Sequence, residues 1–127
     1  MVREVLHSFR DLVVWQKAMD LTVSVYELTK DFPSGEQYGL ISQMRRSAVS
    51  IPSNIAEGRR RSTRKDFLQF IFVAYASGAE LETQLELALR LGFCGQEQFE
   101  RCSQLLDPVM RMLNRLTLAL KPNKPTA

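Results

Sequence analysis

The chain has 127 residues, 45% hydrophobic and 24% charged, with a formal net charge of +3. That is the size of one ordinary domain, able to bury a core without disulfide or metal staples, and the composition excludes a disordered chain. No apolar run approaches the roughly 18–20 residues of a membrane span, and residues 1–10, with Glu4 and no apolar stretch, do not read as a signal peptide.

Residues 1–10 form an N-terminal segment, and 11–120 read as helix nearly throughout, with no useful alternating strand pattern. Asp11 caps a first helix reaching about residue 30, whose Val14, Ala18, Leu21, Val25 and Leu28 lie beside a second stripe of Leu12, Trp15, Met19 and Tyr26. Pro33 and Gly35 end it, and a second helix follows from about 36–39 to 57. There Leu40, Met44, Ala48, Ile51 and Ile55 face inward, Pro52 interrupts the backbone hydrogen bonds, and Gly58 is expected as a left-handed stop. After a basic turn, Ser62 or Thr63 caps a third helix over 64–91, which Gly92 stops. A fourth helix spans 96–120 around Pro108, and 121–127 read as a disordered tail. Short connections and seams of three-four spacing predict an all-α, antiparallel up-down-up-down four-helix bundle.

Chemistry is sparse. There is no phosphate-binding glycine loop, no dinucleotide fingerprint and no HExxH. Cys94, Cys102 and the single histidine, His7, match no zinc spacing, so the cysteines read as small buried thiols and neither metal nor cofactor is expected. Two cysteines without a disulfide framework favour a reduced, cytoplasmic location. Glu80, Glu82 and Glu86 lack the Glu-x-x-His partners of a di-metal bundle site, and an enzyme is not expected.

Charge is informative once localised. Residues 45–65 hold seven bases (Arg45, Arg46, Arg59, Arg60, Arg61, Arg64 and Lys65) against Glu57, a net +6, while the rest of the chain is −3. Arginine forks and the exposed N–H groups opening a helix suit phosphate, so the basic turn is a candidate nucleic-acid contact. No aromatic row accompanies the turn in the sequence, so backbone contact with little base readout is the expected mode. Two readings stand for Arg45 and Arg46: phosphate contact, or interhelical Arg–Glu pairing, with Glu80 and Glu82 as partners, since an antiparallel hairpin turning at Arg61 brings the arginines level with 77–80. On the second helix Gln43, Arg46, Ser50, Ser53, Asn54 and Glu57 collect on one side, a candidate subunit contact or binding face.

The strings FRDLVVWQKA at 9–18, QMRRSAVSIPSNIAEG at 43–58 and ELETQL at 80–85 resemble the four-helix-bundle family of 23S rRNA intervening-sequence proteins. Ala76 departs from the family's usual glycine before the last string, and Gly78 follows. The resemblance implies a small bacterial, cytoplasmic bundle that forms a ring-shaped homo-oligomer, commonly a pentamer, similar to retroelement accessory proteins that bind nucleic acid. It also puts weight on Arg45, Arg46, Asn54, Glu57, Glu80 and Glu82. The function these readings imply is a non-enzymatic oligomer binding RNA or DNA. The alternative is a protein-interaction scaffold whose basic turn docks an acidic partner.

Overall fold

Apolar residues three and four apart build four helices in the computed structural model, which describes residues 8–122. These are α1 Val13–Thr29, α2 Leu40–Arg59, α3 Arg64–Arg90 and α4 Gln96–Leu120, with short 3-10 turns at Phe9–Asp11 and Ser34–Glu36. Among the described residues there is no strand. Each helix packs against the next, and α1 also packs against α4. The enclosed core takes residues from all four, including Leu21, Met44, Ile51, Leu81, Leu85, Val109 and Leu113, each almost wholly removed from water. Each such aliphatic side chain contributes about 1.5–3 kcal/mol of transfer free energy. Phe32, after α1, lies 5.5 Å from Phe93, after α3, so the two connections close one end of the bundle together.

The helix ends show which local signals held. Thr63 caps α3, its hydroxyl accepting the Asp66 N–H at 3.1 Å. Gly92 (φ 74°) ends it, with Gly92 N–H donating to the Leu89 carbonyl and Phe93 N–H to the Ala88 carbonyl, the bond pair of a left-handed glycine stop. Asp11 does not cap α1. It closes the preceding 3-10 turn, and Leu12 holds the cap position in extended backbone with no side-chain bond. Gly58 is not a stop either, because α2 continues through it to Arg59. Its role is close approach: a Cβ there would lie 2.7 Å from Phe70 Cβ and 2.9 Å from Phe67 Cδ1 on α3. Gly78 works similarly, since a Cβ would collide with Met110 Sδ of α4. Ala76, two residues earlier, is exposed.

The second apolar stripe of α1 is only half used. Trp15 packs edge-on against Phe9 at 5.2 Å, whereas Met19 and Tyr26 are each 40% exposed, because no helix covers that side. Both cysteines are buried free thiols. His7 lies outside the described residues, as do most of segment 1–10 and of the expected tail at 121–127.

Pro52 sits in the buried interior of α2 and has no N–H for the Ala48 carbonyl four residues back. A donor from α1 reaches that group instead. Thr22 Oγ1 lies 3.1 Å from the Ala48 carbonyl and 2.8 Å from that of Ala18, in its own helix. The single hydroxyl hydrogen is shared between the two carbonyls, and its longer arm ties α1 to α2. Thr22→Val keeps the shape and removes the donor, so it should cost about 1–2 kcal/mol in urea denaturation. In a Pro52→Ala background, where the backbone N–H returns, the cost should fall by at least about half; an equal cost in both backgrounds would overturn this assignment.

Candidate nucleic-acid interface

The orientation of α2 decides which of its polar residues face solvent. Ser50 Oγ and Ser77 Oγ are 2.8 Å apart, and Ser47 Oγ donates to Glu80 Oε1 at 3.2 Å, which sets α2 and α3 antiparallel in register. Asn54 Nδ2 donates back to the Ser50 carbonyl and hydroxyl at 2.8 and 2.9 Å. The polar stripe expected on one face is therefore divided. Ser50 and Asn54 belong to the α2–α3 seam, while Gln43, Arg46, Ser53 and Glu57 remain exposed.

This register corrects the Arg–Glu pairing. The pairs Ser47–Glu80 and Ser50–Ser77 bring Arg45 and Arg46 level with about 81–82 and not with 77–80, and since one residue turns the helix by about 100°, the residue that meets Glu80 is Ser47. Arg45 points instead to α1: Nε donates to Thr29 Oγ1 at 2.8 Å and Nη2 to the Tyr26 carbonyl at 3.4 Å. Its guanidinium carbon lies 4.5 Å from the Tyr26 ring centre. Glu82 faces α4, lining a cleft with Tyr75, Asp107 and Arg111.

The basic turn joins α2 to α3, and aromatic rings accompany it, contrary to the sequence expectation. Arg60 lies over Phe9 at 5.3 Å, and Arg61 over Phe70 at 4.7 Å. The partners come from the N-terminal turn and from α3, too dispersed to read as a row. Arg61 also pairs with Glu57 at 2.8 Å, both side chains remaining about half exposed. Such an exposed pair is worth at most about 1 kcal/mol, so it orients the guanidinium more than it stabilises the fold. Arg64 Nη2 donates to the Ala119 carbonyl at 2.6 Å, satisfying a carbonyl at the C-terminal end of α4. Arg59 is half-buried and engaged, while Lys65 is exposed and makes no hydrogen bond or ion pair among the described residues.

Two open clefts lie along the outer side of α2. One, of about 600 Å³, is bounded by Phe9, Ser53, Ala56, Glu57, Arg60 and Arg61. The other, of about 420 Å³, lies between α1 and the start of α2 and includes Tyr26, Tyr38, Arg45, Arg46 and Val49. Neither Tyr38 nor Tyr26 is marked as a site residue by the sequence, beyond the first being a lone tyrosine in a polar connection. Among the described residues no three His, Cys, Asp or Glu side chains converge as a metal site would require, and no helix is long and apolar enough to cross a membrane.

The fold and these side chains define a small helical bundle with exposed arginines on the outer side of α2 and in the turn that follows it. The family model of the 23S rRNA-intervening sequence protein matches residues 10–115, and the chain belongs to that family. A crystal structure of a protein of unknown function from the S23 ribosomal protein family, from Bacteroides thetaiotaomicron VPI-5482, is similar to it. The TM-score is 0.75 at 25% identity, over 83% of this chain and 98% of that one. No curated protein sequence matches the chain.

The thiols are placed for packing. Burial raises Cys94 above the ordinary thiol pKa, and the neighbouring Cys102 adds to the effect. Burial also raises Cys102, against smaller opposing effects of the Ser24 hydroxyl, 3.3 Å away, and of Arg101. Because the thiolate is the nucleophile, iodoacetamide at about pH 8 should modify the folded protein at least about tenfold more slowly than the denatured chain. Mass spectrometry of the alkylated protein measures this, and equal rates would contradict the burial.

Proposed function

We propose that this chain is a non-enzymatic nucleic-acid-binding protein that contacts the RNA or DNA backbone in an accessory or chaperone-like role. The observation that carries the reading is the concentration of net +6 charge in residues 45–65, with Arg60, Arg61 and Lys65 exposed around one turn. Arg60 and Arg61 are already held by Phe9, Glu57 and Phe70, so they lose less side-chain freedom on meeting a phosphate than free arginines would. Arg46 and Lys65 add charge not committed to a pair among the described residues, and membership of the 23S rRNA-intervening sequence family supports the same reading.

The working form in this proposal is a cytoplasmic, ring-shaped homo-oligomer of up-down-up-down bundles, five subunits being favoured, in a bacterium. A ring needs two different contact patches per subunit. Exposed Met19 and Val23 on α1 and exposed Phe72 and Val73 on α3 supply two apolar patches of that kind. Repetition around a ring would turn a weak single-subunit surface into a strong one. No cofactor and no membrane enter the proposal.

A salt-series titration against labelled duplex DNA and single-stranded RNA tests it. If each ring engages about five phosphates, log affinity should fall with log salt at a slope near −4.5 on the duplex and near −3.5 on single strands. Combined Arg60→Ala, Arg61→Ala and Lys65→Ala should flatten both slopes, and native mass spectrometry of the same sample should give five subunits. An unchanged slope in the variant would remove the basic turn from the site. Absence of binding at about 50 mM salt, with a protein partner retained through nuclease treatment, would replace this reading by the scaffold that docks an acidic protein.

A further inference from the structure

The cleft between α1 and the start of α2 carries a combination that phosphate contact does not use. Tyr38 is 95% exposed, although the backbone around it is tied down. Gln37 N–H donates to the Ser34 carbonyl at 3.2 Å, Gly39 N–H to the Glu36 carbonyl at 3.0 Å, and Leu40 N–H to Glu36 Oε1 at 3.1 Å. The ring is therefore presented to solvent by an ordered turn. Tyr26, 40% exposed, carries the Arg45 guanidinium against its ring. Arg45 spends one Nε and one Nη2 hydrogen on α1, which leaves three of its five donors unassigned. Arg46 is exposed and makes no hydrogen bond or ion pair among the described residues. No acid lines the cleft, whose volume of about 420 Å³ falls in the small-ligand range of about 300–1,000 Å³.

We infer that this cleft takes an unstacked nucleotide of a single-stranded nucleic acid, the base lying against Tyr38 and the adjoining phosphate meeting Arg46 and the free donors of Arg45. The inference rests on the nucleic-acid reading above and narrows it to a ligand class. An aromatic face beside guanidinium groups, with no acid, suits a base joined to an anionic backbone. Duplex bases are already stacked inside their helix and cannot reach a side-chain ring, so the site discriminates strand state and not sequence.

The cleft also has a continuation. Ser42, Arg46, Val49, Ser53, Ala56 and Arg60 follow three- and four-residue spacing along the outer side of α2, linking this cleft to the one beside Phe9. At about 1.5 Å per residue, Arg46 and Arg60 stand about 21 Å apart. Each end of the stripe joins arginines to aromatic rings. A strand whose phosphates meet the basic turn can therefore run along α2 and insert a base beside Tyr38.

The test uses the full chain with a single-stranded RNA of roughly 12 nucleotides, within the span such proteins cover, bearing one 2-aminopurine, and with a duplex of the same length. Tyr38→Ala should weaken single-strand binding about five- to hundredfold and abolish the 2-aminopurine quench, with duplex affinity moving less than about twofold. Tyr38→Phe should preserve both readouts, and Arg46→Ala should lower the single-strand salt slope. Tyr38 is almost fully exposed, so thermal unfolding of these variants should match the parent. Unchanged single-strand affinity in Tyr38→Ala, while the basic-turn variant weakens both ligands, would overturn the cleft and leave the phosphate reading standing. If the unaltered protein binds neither ligand, both readings fall. A changed subunit number in Tyr38→Ala would make the cleft a subunit contact and overturn the proposal.

Discussion

The hydroxyl pair Ser50–Ser77, 2.8 Å apart, governs how the surface of this bundle is read. With Ser47 on Glu80 it fixes both the register and the rotation of α2 against α3. Gly58 permits the same contact to continue to the end of α2, where Phe67 and Phe70 occupy the space a side chain would need. Serine at this seam does two things: it is small enough for close approach, and its hydroxyl gives the contact a direction that apolar packing lacks. Once that side of α2 is committed inward, Arg46, Val49, Ser53 and Arg60 have no choice but to face out.

The bases of residues 45–65 consequently divide by task. Arg45 braces α1, and Arg64 completes the end of α4. Arg60 and Arg61 rest on rings while keeping much of their guanidinium surface in water, and Arg46 and Lys65 have solvent as their surroundings. A net charge concentrated in one stretch is thus partly architecture and partly an exposed field. Local charge counting cannot separate the two, because the separating contacts come from α1, α3 and α4.

Much of the fold could be read from spacing alone. The bounds of α4, the Thr63 cap and the Gly92 stop match their sequence signals, since each depends on neighbours within a few residues. Gly58 misleads because a missing side chain serves a helix stop and a tight helix contact equally well, and Phe67 and Phe70, on the next helix, decide between them. The surroundings of Arg45 and Arg46 are not legible in either level or angle, because both depend on the register and rotation of α2 that Ser47–Glu80 and Ser50–Ser77 set. The basic turn was legible as a run. The cleft beside Tyr38 was not, because its residues span positions 26 to 49 and meet only after two helices have packed.

The Thr22 hydroxyl on the Ala48 carbonyl has a consequence for how the molecule breathes. Peeling α1 from α2 breaks this bond and leaves the Ala48 carbonyl, which lacks the N–H that Pro52 cannot supply, to water. Local opening that spares one of these helices therefore forfeits about the net worth of one hydrogen bond, roughly 0.5–1.5 kcal/mol, besides the apolar contacts between them. The bond thus favours the two helices staying paired. The cleft beside Tyr26 takes its walls from both helices, so the same bond holds together the two sides on which its shape depends.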